Sequence, residues 1–157
     1  MAKELREGLK APAFTMPTDG EGKASLKDYA GRKLVLYFYP KDDTSGCTKQ
    51  AIAFSGMQDD FDAAGADILG VSADPVSKHD KFKAKHELTI PLASDEDHAV
   101  LEKYGVWVEK SMYGKKYMGI ERSTFLIDAE GRIARIWRKV KVPGHVEEVL
   151  NAARELG

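Results

Sequence analysis

The sequence predicts one α/β domain: a central mixed β-sheet flanked by helices, with a β-hairpin at its N-terminal end. Three observations carry this. Apolar runs of strand length alternate with segments of helical period, the order expected of an α/β sheet. Two of those runs, within Leu34 to Tyr39 and Asp67 to Ala73, read as strands covered on both faces. The last third holds an antiparallel pair, Ser123 to Asp128 and Arg132 to Val140, and then an amphipathic helix. At 157 residues the chain is long enough for one domain and too short for two comfortable ones, so 1–157 is read as a single unit.

Taken in order, residues 8–33 carry short strands with a turn at Asp19 to Gly22, then a helical turn near Leu26 to Tyr29. The Asp19–Gly20 pair is a hairpin signal. After the strand Leu34 to Tyr39, Pro40 stops the run, and Asp42 to Gly46 supply turn and cap chemistry. Cys47, Ala51, Phe54, Met57 and Phe61 then recur at helical spacing. Asp67 to Ala73 is the next strand, and Asp74–Pro75 opens a helix over Val76 to Glu87 with Phe82 inward. Ile90 to Ala93 is a short strand, and Asp95 to Tyr104 a short helix ending at Gly105. Tyr113 to Met118 reads as an exposed hairpin tip, and Ala129 to Gly131 as a tight turn. Pro143 suits the first turn of a closing helix with Val146, Val149, Leu150, Ala153 and Leu156 on its apolar stripe.

Composition excludes several functions. With 43% hydrophobic residues a core can form, while 24 basic against 25 acidic side chains give no net sign to favour nucleic acid or an anionic membrane. No apolar run approaches the roughly 20 residues that span a bilayer. The opening Met-Ala-Lys-Glu-Leu-Arg-Glu-Gly lacks the apolar core of a signal peptide. One cysteine excludes an internal disulfide and fits a reducing cytoplasm.

That cysteine is the chemical focus. A lone cysteine is ordinarily a small buried hydrophobe. Cys47, however, falls where a buried strand stops and a helix starts, on the inward face of the first turn. Free backbone N–H groups and the positive end of the helix dipole meet there, and both favour an anion. Thiolate formation alone does not make a fast enzyme. Lowering a thiol pKa from about 8.5 to about 6 raises the thiolate fraction at neutral pH roughly thirty-fold. Weaker nucleophilicity returns roughly ten-fold of that. Donors aimed at the substrate oxygens are also needed. Thr44, three residues before Cys47, is one candidate, and an arginine from elsewhere is the other.

The stretch P-K-D-D-T-S-G-C-T resembles the peroxidatic motif of peroxiredoxins, Pro-x-x-x-Thr-x-x-Cys, met here by Pro40, Thr44 and Cys47. The similarity runs nearly the whole chain. K-D-D-T-x-G-C-T-K is specific to the bacterioferritin comigratory protein, or peroxiredoxin Q, subfamily, and Tyr113 to Asp128 is a second long match. The resemblance implies a thioredoxin-like fold and an arginine completing the site, which falls on Arg122. As an isolated residue Arg122 reads as a surface charge at a strand entrance. In the family role its permanently charged guanidinium stabilises the thiolate and bonds a peroxide oxygen. Pro40 would keep water from the thiolate; its ordinary role is to end a strand. Two departures stand out. Ser45 replaces a common proline, and Ile52 occupies the position where many members hold a second, resolving cysteine.

Other candidates read as ordinary structure. His79 and His86, seven apart, suggest a solvated helix face, not a metal site. Asp95 to His98 suit helix capping. Tyr39 and Trp107 are core aromatics or, alternatively, line the substrate entrance.

The reading is therefore a one-cysteine peroxidase. Cys47 would reduce hydrogen peroxide or organic hydroperoxides and be recycled by an external thiol, either thioredoxin or glutathione with glutaredoxin. No metal or organic cofactor, nucleic acid or membrane is implied, and the balanced charge fits a cytoplasmic monomer or weak homodimer. The alternative is a redox sensor or binding module signalling through Cys47 oxidation. A thioredoxin-type oxidoreductase is disfavoured by the lack of Cys-x-x-Cys. With Ile52 in place of a cysteine, the helix after Cys47 has no disulfide to form. Residues five apart on an intact helix lie on the order of 8–9 Å apart at Cα, too far for a bridge. That helix is expected to stay formed in both redox states.

Overall fold

The strand predicted over Leu34 to Tyr39 lies near the middle of the sheet and sets the register of everything around it. In the computed structural model, which describes residues 5–156, the elements are β1 (Thr15–Thr18), β2 (Gly22–Ser25), β3 (Lys33–Phe38), α1 (Ser45–Gly56), α2 (Gln58–Ala63), β4 (Ala66–Ser72), α3 (Val76–His86), β5 (Leu92–Ser94), α4 (Ala99–Lys103), β6 (Trp107–Met112), β7 (Lys115–Ile120), β8 (Ser123–Ile127), β9 (Ile133–Trp137) and α5 (His145–Glu155). Residues 1–4 and 157, the ends of the expected 1–157 unit and part of the signal-peptide reading, lie outside the described residues.

Seven strands form one sheet in the order β2-β1-β5-β4-β3-β8-β9. β3 runs parallel to β4 and antiparallel to β8, so the sheet is mixed. Parallel neighbours need crossovers, and α1 with α2 supplies the one from β3 to β4. Side chains of β3 alternate between faces. Val35 and Tyr37 join Phe54, Phe61, Phe82 and Val149 in one core. Leu34, Leu36 and Phe38 join Phe14, Leu101, Tyr104 and Phe125 in the other. Phe54 stacks on Tyr37 with ring centroids 4.5 Å apart; truncating so buried a ring to alanine costs about 3–5 kcal/mol.

Several expectations shift. The helix after Cys47 breaks at Met57 into α1 and α2, just after Gly56, a weak helix former. The short strand begins two residues later and ends one residue later than expected, at Leu92–Ser94. Helix α4 begins only after His98, whose φ of 65° places it in the left-handed region, because Asp95 to His98 turn. Pro143 precedes the Gly144 N-cap of α5 and so lies just outside the helix. The expected hairpin tip is the end of a separate two-stranded ribbon, β6 with β7, paired from Trp107↔Ile120 to Met112↔Lys115.

Candidate active site

β3 carries the chain through Tyr39 and Pro40 into a turn at which Asp43 takes a φ of 60°. Thr44 follows in extended conformation as the N-cap of α1, and its carbonyl accepts the first helical bond from Thr48 N–H at 2.8 Å. Cys47 is thus the third residue of the helix, among the N–H groups without helical partners. Its side chain belongs to the core and is 2% exposed.

Arg122 arrives from the junction of β7 and β8. Its Nη2 donates to Cys47 Sγ at 3.3 Å, and its Nη1 donates to Gln50 Oε1 at 2.6 Å. The planar fork is therefore fixed at two points. Its backbone is held as well, since Val140 N–H donates to Arg122 O at 2.9 Å. Gly46 makes room: a Cβ there would lie 3.2 Å from Arg122 Nη2. A permanent cation so placed stabilises negative charge on sulfur and on an oxygen attacked by it. Its field reaches Lys110, whose ammonium is pushed down first by burial and then by the Arg122 charge. Tyr37, in the same core as Cys47, has a phenol pushed well above the ordinary tyrosine range by burial, with Cys47 and Asp42 adding to it.

Thr44 lies beside this group with its hydroxyl turned elsewhere: Oγ1 donates to Lys41 O at 2.9 Å and makes no cap bond. Among the described residues Arg122, not Thr44, makes the hydrogen bond to sulfur. Pro40 is half-buried at the end of β3. Ile52 is 48% exposed on the outer face of α1, away from the Cys47 stripe.

The sequence reading missed one part of the site and one cluster beside it. Gln50 is fully buried, one turn beyond Cys47. Its place on the stripe Cys47, Gln50, Ala51, Phe54 was a usable signal. The second is a polar cluster under the loop before α1. The carboxylate of Asp42, assigned only turn chemistry, is buried. Its Oδ1 accepts from Tyr39 OH at 2.5 Å, and its Oδ2 lies 2.6 Å from His79 Nδ1. The solvated face expected for His79 and His86 is therefore corrected for His79, which is 0% exposed, its two ring nitrogens facing Asp42 and, at 2.9 Å, the Ala93 carbonyl. His86 pairs with Asp43 at 2.8 Å on the surface. Tyr39 is likewise a core residue, with no exposed edge to line an entrance. Trp107 is half-buried and stacks on His98 at 3.9 Å. Asp95 accepts from Leu101 N–H at 2.8 Å, in keeping with a role at the start of α4. Among the described residues no group of three or more His, Cys, Asp or Glu could hold a metal ion, and no helix is long and apolar enough to cross a membrane.

Comparison with known proteins places the chain as a whole. Residues 8–136 match the AhpC/TSA family. The chain is 54% identical over 146 residues to a putative peroxiredoxin Bcp of Coxiella burnetii, covering 93% of this chain and 97% of that one. It is 48% identical over 149 residues to peroxiredoxin Bcp of Bacillus subtilis, covering 95% of each. Among solved structures it superposes with a TM-score of 0.89 and 45% identity on the Xanthomonas campestris bacterioferritin comigratory protein, covering 96% of this chain and 98% of that one. That protein was studied for alkyl peroxide reduction through trapped intermediate and ligand complexes. On the strength of matches that span nearly its whole length, the chain belongs to the AhpC/TSA family, as a thioredoxin-like peroxiredoxin of the Bcp, or peroxiredoxin Q, type.

Proposed function

We propose that Cys47 is the atom at which this thiol-dependent peroxidase reacts, and that Arg122 is its principal electrostatic partner. The thiolate attacks one oxygen of a hydroperoxide, the O–O bond breaks, and the leaving oxygen departs with a proton as water or an alcohol. Cys47 is left as a sulfenic acid. An external thiol then condenses with it, releasing water and forming a mixed disulfide. A second thiol frees Cys47 and carries the disulfide away. Thioredoxin, or glutathione with glutaredoxin, supplies those thiols, because the chain has one cysteine and cannot supply its own. Hydrogen peroxide and organic hydroperoxides are the substrates. Thr44 assists as a second donor once its hydroxyl rotates from the Lys41 carbonyl, and Pro40 shields the sulfur side of the turn. A reducing cytoplasm suits the free thiol, and the protein acts as a monomer or weak homodimer.

The observation that supports this reading most is the 3.3 Å contact between Arg122 Nη2 and Cys47 Sγ. Helix-start placement alone yields only a few-fold gain, whereas one donor aimed at developing charge is worth about 10²–10³ in rate. The test is peroxide consumption by the wild type and by Cys47→Ser, with thioredoxin and glutaredoxin systems offered separately. Turnover with one system and none in the variant is expected. Undiminished consumption by the serine variant would remove Cys47 from the reaction, and oxidation without turnover would favour a sensor.

A further inference from the structure

Asp42, buried between Pro40 and the N-cap of α1, is fastened on every side. Its backbone N–H donates to Asp74 Oδ2 at 2.8 Å, and that oxygen also accepts from Ser72 Oγ at 2.8 Å. Its carboxylate takes Tyr39 OH and faces His79 Nδ1. The far nitrogen of His79 fixes the proton count. Ala93 O only accepts, so Nε2 must carry a hydrogen. A neutral ring would then present a bare lone pair at Nδ1 to a carboxylate oxygen 2.6 Å away, two acceptors in contact inside a dry core. The contact requires one more proton between them.

We propose that Asp42 and His79 are positioning residues for the peroxidase reaction: the proton they share latches the Lys41–Thr44 loop to α3, and its loss releases the loop and slows attack by Cys47. The proposal rests on Cys47 being the reacting atom. Asp42 stands two residues before the N-cap and five before the sulfur, so its displacement moves the helix start directly. Misplacement of a reacting group by about 1 Å costs up to roughly 10²-fold in rate.

The neighbours favour the latched state. Burial opposes charge on His79, but the Asp42 hydrogen bond and charge, the Ala93 carbonyl and Asp74 together outweigh it, so its pKa is raised. Asp74 is itself faced by Lys78 at 3.9 Å. Tyr37 and Tyr39, the other titratable groups packed on Asp42, stay protonated, since burial pushes both phenols well above their usual range. Next to the pair, Asp43 joins the same loop to α3 through Lys85 and His86, both at 2.8 Å. A raised histidine value means that the latch is complete below the ordinary value of about 6.5 and is lost as pH rises through the folded one.

The experiment is the rate of thiol loss on mixing reduced protein with hydrogen peroxide, across neutral to alkaline pH, for wild type and His79→Asn. Nitrogen NMR of the His79 ring is followed in parallel. Asparagine keeps an amide donor near Asp42 and does not titrate. The wild-type rate constant is expected to fall about ten-fold or more on the alkaline side, with the midpoint at which the His79 ring loses its proton. In His79→Asn that fall should vanish while the neutral-pH rate stays within a few-fold of wild type. An unchanged alkaline fall in the variant, or a His79 ring already neutral in mildly acidic solution, would overturn the proposal. Should the variant not fold, disagreement of the two wild-type midpoints overturns it and coincidence upholds it. A thiol inert to peroxide at every pH would instead defeat the assignment of Cys47 itself.

Discussion

Around Cys47, Arg122 and Gln50 some polar groups are left over, while around Asp42, His79 and Asp74 they are matched. Gln50 Nε2 and Tyr37 OH are buried without a hydrogen-bond partner among the described residues. Each such group costs about 1–3 kcal/mol. Seven residues of chain at most separate the two clusters along the loop and α1, yet the second has its carboxylates, imidazole and hydroxyls engaged. The difference teaches where stability is given up and where it is recovered. Around Cys47 two buried donors go without partners while Arg122 and Thr44 are engaged, and the adjoining cluster holds the loop that leads into α1.

That comparison can be broken from either side. The largest effect should come from Asp42→Ala, which strands the His79 ring and Tyr39 hydroxyl. A loss of about 3–5 kcal/mol is expected, read as a lower urea midpoint; a loss under about 1 kcal/mol would mean that the cluster is no frame at all. Next is Arg122→Lys, which keeps the charge and removes the fork. Peroxide reactivity should fall about 10²–10³-fold with thermal stability little changed, and stopped-flow thiol oxidation checks it. Gln50→Met comes third. It removes an unpartnered amide nitrogen and the Arg122 anchor together, so stability should shift by no more than about 1 kcal/mol, while a loosened guanidinium lowers the rate by about ten-fold. Equal losses of stability in Gln50→Met and Asp42→Ala would erase the contrast between the clusters. The smallest effects belong to the outer face of α1. Ile52→Ser should stay within about 0.5 kcal/mol of wild type. Amide exchange along α1 should be the same in reduced and sulfenic states, because no partner cysteine pulls the helix open.

Much of the framework was legible. The apolar run of β3, the stop at Pro40 and the inward stripe after it located Cys47 at a helix start, and the Asp19–Gly20 turn gave the N-terminal hairpin. Arg122 was another matter. It lies 75 residues from Cys47, and only family resemblance singled it out from other surface-type arginines. His79 was misread because lysines at 78, 81, 83 and 85 make α3 look solvated. Yet His79 stands three residues before Phe82, on the same helical face, and that spacing marked it as inward. The fate of Asp42 could not be read at all: a buried carboxylate is stable only with partners, and these come from the residue after β3, the loop after β4 and α3. Thr44 shows the reverse limit, since a motif names a residue and leaves the rotation of its hydroxyl open.

The solitary thiol has a practical consequence. On the proposed mechanism, a thiol that regenerates it passes through a disulfide to residue 47, since the sequence offers no other cysteine. Each intermediate in the cycle is then a discrete mass on an intact chain. Rapid quenching inside living cells, followed by weighing the whole protein, would name the physiological electron donor by its own molecular weight.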